Sequence, residues 1–275
     1  MSETIRQVKV TRVGRIRAGG SEDAAAVEEP LEVRLHGRPF AVIMRTPGAD
    51  RDLAAGFLFS EGVIASADVI GAVEHCRHPD HPEHHNVVDV YLLDDAARAV
   101  EDHLAERRRV LTTSSCGLCG RATIDSLRVR AAPLEHHFTI DAAVAAELPV
   151  RLRSRQSAFD HTGGLHAAGT FTSAGECTGS AEDVGRHNAV DKIIGRMLLD
   201  ERLPARGVAL AVSGRTSFEI LQKAWLAGIE LVCAVSAPSS LAIDLAESAG
   251  ITLLGFTRDG GFNIYSHPER IRIHP

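Results

Sequence analysis

The sequence predicts an α/β protein that carries a mainly parallel sheet in its C-terminal part and a smaller α+β domain before it. Between residues 208 and 256, three apolar strands alternate with two helical segments. Nearer the N terminus, apolar residues alternate on both sides of Gly37 as in a hairpin. The predicted parts are a flexible tail at 1–29, a small α+β domain at 30–110, a mobile loop and linker at 111–134, and an α/β domain at 135–275.

The composition is that of a globular protein with ordinary hydropathy. Of its 275 residues, 44% are hydrophobic and 24% charged, and no apolar run approaches the roughly 20 residues that cross a bilayer. The polar segment 1–17 has no apolar core of a secretory signal, so we expect a cytoplasmic protein without a membrane anchor. A net charge of −6 disfavours nucleic-acid binding. Five cysteines favour thiol chemistry or metal binding over a disulfide scaffold.

The N-terminal half predicts a hairpin, a helix and a strand in that order. Leu31 to Met44 alternates around Gly37-Arg38, and Thr46-Pro47-Gly48 ends the second strand. Asp50 is placed to cap the following helix. Val87–Leu93 predicts a further strand, and a charged helix is expected over residues 95–108.

The C-terminal half predicts strands and helices in alternation. Asp183 precedes a helix whose apolar face repeats at 3.6-residue spacing through Val190, Ile193, Ile194, Met197 and Leu198. The three strands are Val208–Val212, Ile229–Val235 and Ile251–Phe256. Two connecting helices imply parallel pairing with right-handed crossovers, and the first carries a capping box of Thr216 and Glu219. Phe262–Tyr265 is expected to close a hairpin on the third strand.

The strongest chemical signal is the pair Cys116 and Cys119 in a Ser- and Gly-rich loop. Two thiols at this spacing can meet, and neighbouring glycines leave them accessible. Structural zinc requires four ligands, and no second pair of this spacing exists. A thioredoxin-type redox pair and a bland pair of exposed cysteines also remain open. A nucleophile that relays sulfur is the interpretation we favour.

Other polar segments have weaker signals. The run His75–His85 is rich in metal ligands, but its two prolines favour a solvated loop. Asp160–His166 and Glu182–Asn188 hold His, Asp and Arg that can bind a ligand or simply cap helices. Cys177 has no evident partner, and Cys233 lies in an apolar strand as a small buried hydrophobe.

Turns that follow the three C-terminal strands predict a ligand site. The carboxyl ends of parallel strands share one edge, where ligands of open α/β sheets bind. Helix N-termini there suit phosphates, and Arg215 adds a cation. The segments concerned are Ser213–Thr216, Ser236–Ser240 and Phe256–Gly261.

The chain resembles the FdhD/NarQ family of formate dehydrogenase accessory sulfurtransferases from about residue 31 onward. The matching motifs are Met44-Arg45-Thr46-Pro47, Gly56-Phe57-Leu58, Glu61-Gly62, Ser115–Gly120, Thr162–Ala168, Glu182–Asn188, Asp191-Lys192, Ser213-Gly214-Arg215, Phe218-Glu219, Ser236–Ser240 and Gly255-Phe256. These motifs follow one another in the family's order, so chance is a poor explanation.

The resemblance implies a sulfurtransferase. Such a protein takes sulfur from a cysteine desulfurase as a persulfide and passes it to the Mo-bis(molybdopterin guanine dinucleotide) cofactor before that cofactor enters formate dehydrogenase. Cys116 is then the persulfide carrier and Cys119 its partner, and a homodimer is expected. An alternative is a non-catalytic cofactor chaperone whose two cysteines bind a metal or act in redox exchange.

The resemblance also implies where the molybdenum cofactor binds. The residues concerned are Phe256, Thr257, Arg258, Asp259, Gly260 and Gly261, together with Ser213, Gly214, Arg215 and Ser236. Asp259 departs from the pattern, because the family is often richer in basic residues there.

The family's second half is similar to the three-layer cytidine deaminase fold. Zinc deaminases need an H-x-E motif and a later P-C-x-x-C. Here the equivalents are His166-Ala167-Ala168 and Pro238–Ala242, which lack the carboxylate and both thiolates, so deamination is not expected.

Overall fold

The computed structural model describes residues 4–13, 18–76, 84–93 and 132–274. The longer strands are β1 (Ile5–Val13), β2 (Ala18–Ala26), β3 (Glu29–Leu35), β4 (Arg38–Arg45), β5 (Ile70–His75), β6 (Val87–Leu92), β8 (His166–Phe171), β9 (Cys177–Asp183), β10 (Ala209–Val212), β11 (Leu231–Ala234), β12 (Thr252–Arg258) and β13 (Gly261–Ser266), and two short ones are β7 (Ile140–Asp141) and β14 (Ile271–Arg272). The helices are α1 (Asp50–Ser60), α2 (Ala142–Arg153), α3 (Ser157–Thr162), α4 (Arg186–Leu199), α5 (Phe218–Leu226) and α6 (Ser240–Ala249).

The N-terminal segment forms a hairpin, where the sequence predicted a flexible tail over 1–29. β1 and β2 pair antiparallel from Ile5 opposite Ala26 to Val13 opposite Ala18. The hairpin lies against α3, and a Cβ at Gly164 would lie 3.5 Å from the Ala26 side chain. Backbone pairing and this contact give the segment a defined position.

A four-stranded sheet follows, in the order β4-β3-β6-β5. The predicted hairpin is confirmed as the antiparallel pair β3 and β4, and β6 confirms the strand predicted at 87–93. Helix α1 packs on this sheet, but Asp50 does not cap it; Ala49 holds the cap position. The Asp50 carboxylate instead accepts two hydrogen bonds from the buried Arg45 guanidinium, at 2.9 and 2.8 Å.

The C-terminal half is built on a six-stranded sheet with the order β13-β12-β11-β10-β8-β9. Strands β10, β11 and β12 pair in parallel, which confirms the predicted alternation of strands and helices. The prediction of a mainly parallel sheet is wrong for the whole sheet, because β8, β9 and β13 pair antiparallel at its two sides. Tight turns join β8 to β9 and β12 to β13, and such turns enforce antiparallel pairing.

Helices cover both faces of this sheet. Along β10, Ala209 and Ala211 face α2, whereas Leu210 and Val212 face α4 and α5. This alternation follows from the two-residue period of a strand. The helix predicted after Asp183 is confirmed as α4, and the five apolar residues of its predicted face are buried. The cluster on the α4 side continues without a break into the four-stranded sheet, so the two halves share one core.

A close crossing of α1 and α4 joins the two halves. Gly56 and Gly195 lie at the contact, where a Cβ on Gly195 would lie 2.6 Å from the Gly56 amide nitrogen and overlap the Asp52 carbonyl oxygen. The two backbones therefore touch without an intervening side chain. Only glycine at both positions permits this distance.

Buried ion pairs reinforce the same junction. The Lys192 ammonium lies 2.7 Å from the Asp183 carboxylate and also donates to the Thr46 carbonyl at 2.8 Å. Asp183 in turn accepts from the Thr46 amide. A second pair joins Lys223 to Asp191, whose carboxylate also accepts from the Ser60 hydroxyl. Every group here has partners from both halves or from two helices.

Two further predictions have different outcomes. Ser217, not Thr216, holds the N-cap of α5, and the Glu219 carboxylate lies 2.8 Å from Nε2 of His187 instead of closing a capping box. The hairpin predicted at Phe262–Tyr265 is confirmed by β12 and β13.

The helix expected at 95–108 and the loop that carries Cys116 and Cys119 lie outside the described residues. The division into four parts stays a prediction.

Candidate functional site

The site begins at the carboxyl edge of β10, β11 and β12, as the sequence predicted. The loops that follow β10 and β11 are held side by side. The Thr216 amide donates to the Ala237 carbonyl at 3.3 Å, and the Ser239 amide donates to the Thr216 carbonyl at 3.0 Å. The Phe256 amide donates to the Ser236 carbonyl at 3.2 Å, which attaches the end of β12. Three consecutive strand ends thus form one continuous rim.

A cavity of about 630 Å³ opens beside this rim, on the face covered by α2. Its volume is within the usual range for small-molecule sites. The walls come from the end of α2, from α3, from the loop before β8, and from the ends of β10, β11 and β12. The lining residues are Pro149, Val150, Leu152, Arg153, Gln156, Phe159, Gly163, Gly164, Leu165, His166, Ser213, Val235, Thr257, Arg258 and Asp259.

Of the ten predicted cofactor-binding residues, the structure brings four together in this wall. They are Ser213, Thr257, Arg258 and Asp259. The remaining six belong to the same rim but not to the cavity wall: Gly214, Arg215, Ser236, Phe256, Gly260 and Gly261. The rim therefore presents a pocket and an adjoining surface, and the predicted residues divide between them.

The turn after β12 has an irregular backbone. Phe256 and Asp259 adopt positive φ values of 52° and 53°, and the pairing register of β12 with β13 shifts between Gly255 and Arg258. Positive φ is unfavourable for a bulky residue such as phenylalanine and marks local strain. Phe256 and Arg258 are both exposed, with the guanidinium 5.7 Å from the ring centroid.

Ser213 holds the near wall of the cavity in place. Its hydroxyl accepts a hydrogen bond from the Ala167 amide at 2.8 Å, and its own amide donates to the Ala167 carbonyl at 3.0 Å. Both contacts tie the end of β10 to β8. The remaining hydroxyl proton is available to a ligand.

His166 lies half-buried beside the turn after β10. Burial, first, and then the positive charges of Arg186 and His187 lower the pKa of His166 below its ordinary value, against a weaker opposing effect of Asp183. The imidazole is therefore neutral near pH 7, with one ring nitrogen as donor and the other as acceptor. A Cβ at Gly214 would lie 3.4 Å from Nδ1, so the turn after β10 passes directly over the ring.

The polar segments flagged in the sequence have mainly structural contacts. The Glu182 carboxylate accepts from the amides of Ala158 and Phe159 at the start of α3. Asp183 is buried with Lys192, and Asp160 lies 2.6 Å from the Arg153 guanidinium. Capping and ion pairing explain these segments, except for Gly163, Gly164, Leu165 and His166, which line the cavity.

Sequence reasoning missed two polar residues of the wall. Arg153 stacks over the Phe159 ring at 4.7 Å, and Gln156 is buried between the two helices. The segment Arg151–Gln156 carries five polar residues after an apolar helix face, a pattern typical of a solvated helix end. Only a tertiary contact with β12 makes it part of a site, so no local pattern could have found it.

The histidine-rich run does not form a metal centre within the described residues. Across 4–13, 18–76, 84–93 and 132–274, no three His, Cys, Asp or Glu side chains lie close enough to hold an ion. His75 ends β5 with its Nε2 4.0 Å from the Asp50 carboxylate. Residues 77–83 of the run lie outside the described part.

Among the described helices, none has the length and apolar character needed to cross a membrane.

Comparison with known sequences decides the family. A sequence profile described as "FdhD/NarQ family" matches residues 26–272. The chain belongs to the FdhD/NarQ family. A relative from Nocardia farcinica, named sulfur carrier protein FdhD, is 49% identical over 271 residues, which cover 97% of this chain and 94% of the relative. A relative of the same name from Sulfurisphaera tokodaii is 43% identical and covers 97% and 99%.

A solved structure shares the fold of this FdhD/NarQ chain. A crystal structure from Desulfotalea psychrophila, described as a formate dehydrogenase accessory protein, superposes with a TM-score of 0.75 at 24% identity. The match covers 98% of this chain and all of that one. Both sheets and their helices therefore belong to an architecture known from experiment.

Proposed function

We propose that this chain is a sulfurtransferase that carries sulfur as a persulfide on Cys116 and delivers it to a molybdenum cofactor for formate dehydrogenase. The observation that carries the proposal is the family match across residues 26–272, together with a relative named sulfur carrier protein FdhD that is 49% identical. The two thiols of the loop at 116–119 supply the chemistry, and the rim of the sheet supplies a place for the acceptor.

The first step is thiol exchange with a cysteine desulfurase. The Cys116 thiolate attacks the outer sulfur of the donor's persulfide, a new S–S bond forms on Cys116, and the donor cysteine leaves as a thiolate. No external oxidant or reductant is needed. The relay requires Cys116 to reach two different partners, the sulfur donor and the sulfur acceptor. The glycines that flank the cysteines in the sequence favour this access.

The second step releases the sulfur at the acceptor. The Cys119 thiolate attacks the inner sulfur of the persulfide, which forms a Cys116–Cys119 disulfide and frees hydrosulfide. The substrate that takes it is Mo-bis(molybdopterin guanine dinucleotide), before insertion into formate dehydrogenase. Reduction of the disulfide by a cellular dithiol returns the carrier to its starting state.

The rim of β10, β11 and β12 is the proposed binding place for that substrate. Ser213, Thr257, Arg258 and Asp259 line the cavity, and two guanidinium groups stack on phenylalanine rings beside it. Apolar walls suit a flat ring, and the arginines suit phosphates. The six other predicted residues, Gly214, Arg215, Ser236, Phe256, Gly260 and Gly261, extend the site along the rim.

The remaining parts of the proposal concern fold and assembly. We infer a cytidine-deaminase-like three-layer domain at 135–275, in which His166 and the segment Pro238–Ala242 stand where a deaminase holds its zinc. The partners are a cysteine desulfurase and a formate dehydrogenase in the cytoplasm. The working unit is a homodimer.

Intact-protein mass spectrometry tests the carrier role. Wild type, Cys116→Ala and Cys119→Ala are incubated with a cysteine desulfurase and cysteine. The proposal expects a labile gain of about 32 mass units on wild type and Cys119→Ala but not on Cys116→Ala. Equal labelling of all three proteins, or labelling of none, would contradict it.

Metal analysis separates the carrier from a non-catalytic chaperone with a metal-binding cysteine pair. Stoichiometric zinc that disappears in both cysteine variants would support the chaperone. Formate dehydrogenase matured in cells with Cys116→Ala should be inactive if Cys116 carries the sulfur.

A further inference from the structure

A second cavity, of about 270 Å³, lies at the amino end of β10 and β11, away from the rim. Its wall comes from the segment that precedes β7, from the loop before β10, and from the residues that lead into β11. The volume is just below the usual range for sites that bind drug-sized ligands and cofactors. A ligand of only a few non-hydrogen atoms therefore suits it.

Glu230 is a buried carboxylate in this wall with one oxygen unpaired. The residue is 2% exposed and directly precedes β11. Its Oε2 accepts hydrogen bonds from the amides of His137 and Phe138, at 2.7 and 3.1 Å, and lies 3.3 Å from Nε of Arg270. Its Oε1 is closed to solvent and has no hydrogen-bond partner among the described residues. Buried polar atoms are almost always paired, so Oε1 indicates an absent donor.

The charge of the wall favours a cationic donor. Glu135 brings a second carboxylate to the cavity, and that carboxylate lies 2.9 Å from Nε2 of His137. Carboxylates only accept hydrogen bonds, and those from cationic N–H groups are the strongest. The side chains of Glu135 and His137 are exposed, and exposed side chains change rotamer within nanoseconds. Their movement can admit a small ammonium group to Oε1.

Arg206 brings the opposite charge to the same cavity. Its side chain is exposed and makes no hydrogen bond or ion pair with the described residues. A guanidinium binds a carboxylate through two parallel hydrogen bonds. The wall between the charged groups is apolar and includes Pro133, Leu134 and Pro204. An ammonium group, a carboxylate and a short aliphatic side chain are together the parts of a small α-amino acid.

We propose that this cavity is a binding site for a small α-amino acid such as alanine. The ammonium group donates to Oε1 of Glu230, and the carboxylate accepts from the Arg206 guanidinium. The short side chain packs against the apolar part of the wall. The site is separate from the rim and independent of the proposed function.

A two-dimensional NMR titration of the full chain tests the site. The ligands are L-alanine, ethylamine, which lacks only the carboxylate, and propionate, which lacks only the amino group. We expect L-alanine to cause saturable shifts in the amide signals of Arg206 and Gly228, which line the cavity. Ethylamine and propionate should bind about tenfold more weakly or worse, because each lacks one of the charge-assisted contacts.

Two variants assign the ends of the ligand. Arg206→Gln should weaken L-alanine about tenfold and leave ethylamine unchanged, because only L-alanine carries a carboxylate. Glu230→Gln keeps an oxygen for the two backbone amides and puts an NH₂ group in place of Oε1. It should weaken L-alanine and ethylamine alike. Arg51→Gln, exposed on α1 and outside the cavity, is the matched control and should bind like wild type.

The outcomes decide between a ligand site and a cavity that holds water alone. Absence of shifts at Arg206 and Gly228 with L-alanine would mean water alone and would overturn the proposal. Ethylamine or propionate binding as tightly as L-alanine, or unchanged L-alanine affinity in Arg206→Gln, would also overturn it. Arg206 makes no side-chain contact that the described fold needs, so this last result does not depend on Glu230→Gln folding. Persulfide loading of Cys116 involves none of these residues and is tested separately.

Discussion

The junction of α1 with α4 and the cavity beside β12 treat buried polar groups in opposite ways. At the junction, Asp183 is fully buried and accepts from Lys192, Thr46, Gly185 and Asn188. In the cavity wall, the Gln156 amide has no hydrogen-bond partner among the described residues, but its polar atoms reach the open cavity. A saturated network closed to solvent indicates a structural role, whereas a polar group that faces an open cavity is available to a ligand. Burial alone does not distinguish them.

Removing a charge from the junction should give the largest effect. Lys192→Met leaves the Asp183 carboxylate buried without its cation, and we expect a loss of about 3–5 kcal/mol in the free energy of unfolding. Urea denaturation measures it. Arg196→Met is the control on the same helix; Arg196 contacts Asp52 at 3.0 Å in a partly exposed pair and should cost about 1 kcal/mol or less. Equal losses in the two variants would mean that burial does not set the cost.

Adding one methyl group at the helix crossing should cost somewhat less. In Gly195→Ala the new Cβ overlaps the backbone of α1, so the helices must separate, at about 1–3 kcal/mol. Gly20→Ala in β2, where nothing lies within 4 Å, should stay within about 0.5 kcal/mol of wild type. A neutral Gly195→Ala would show that the halves are less tightly joined than their contacts indicate.

Substitutions of two buried side-chain amides, Asn188 and Gln156, compare the two regions directly. Asn188 donates to the Met44 carbonyl at 2.8 Å and to the Asp183 carboxylate at 2.9 Å, so Asn188→Leu should cost about 1–3 kcal/mol. Gln156→Met removes an amide with no partner and should leave stability unchanged or raise it by up to about 1 kcal/mol. Thermal and urea unfolding of the ligand-free proteins measure both. A clear loss in Gln156→Met would show that its amide is bound within the protein.

The smallest effect concerns the proton on His166. Its pKa is lowered, so the folded state resists protonation while the unfolded state accepts a proton below the ordinary value of 6.5. This contribution to stability is complete above pH 6.5 and is lost as the pH falls through that value toward the lowered pKa. The free energy of unfolding, measured from pH 7.5 to 5, should fall less steeply in His166→Gln than in wild type. In Arg186→Gln the pKa of His166, followed by NMR, should rise; an unchanged pKa would rule out Arg186 as a cause.

The sequence predicted the local elements well because their signals are local. The apolar run at 208–212 and the helix after Asp183 carry their periodicity within a few residues, and both are confirmed. The directions of β8, β9 and β13 were not predicted, because strand direction depends on how distant segments pair. The hairpin of β1 and β2 has no clear alternating pattern, because the apolar residues of β2 are all alanines and three of them are consecutive.

The site was predicted in part for the same reason. Turns after parallel strands indicate a shared edge, and Ser213, Thr257, Arg258 and Asp259 meet there. Asp50 and Glu219 look like helix caps in sequence, but the cation of Arg45 and the ring of His187 compete for them from other elements. Gln156 has no local signal, because its importance comes only from the wall that closes around it.

The buried thiol of Cys233 has a consequence for experiments on the whole chain. It lies in β11 with no exposed surface, and burial raises its pKa to about 12. Alkylating reagents act on thiolates, so Cys233 stays unlabelled in the native protein and reacts only after denaturation. Differential alkylation before and after unfolding thus gives every preparation an internal reference cysteine. Cys76 and Cys177 are partly exposed, so peptide-level mapping must accompany any measurement of sulfur on the chain's five cysteines.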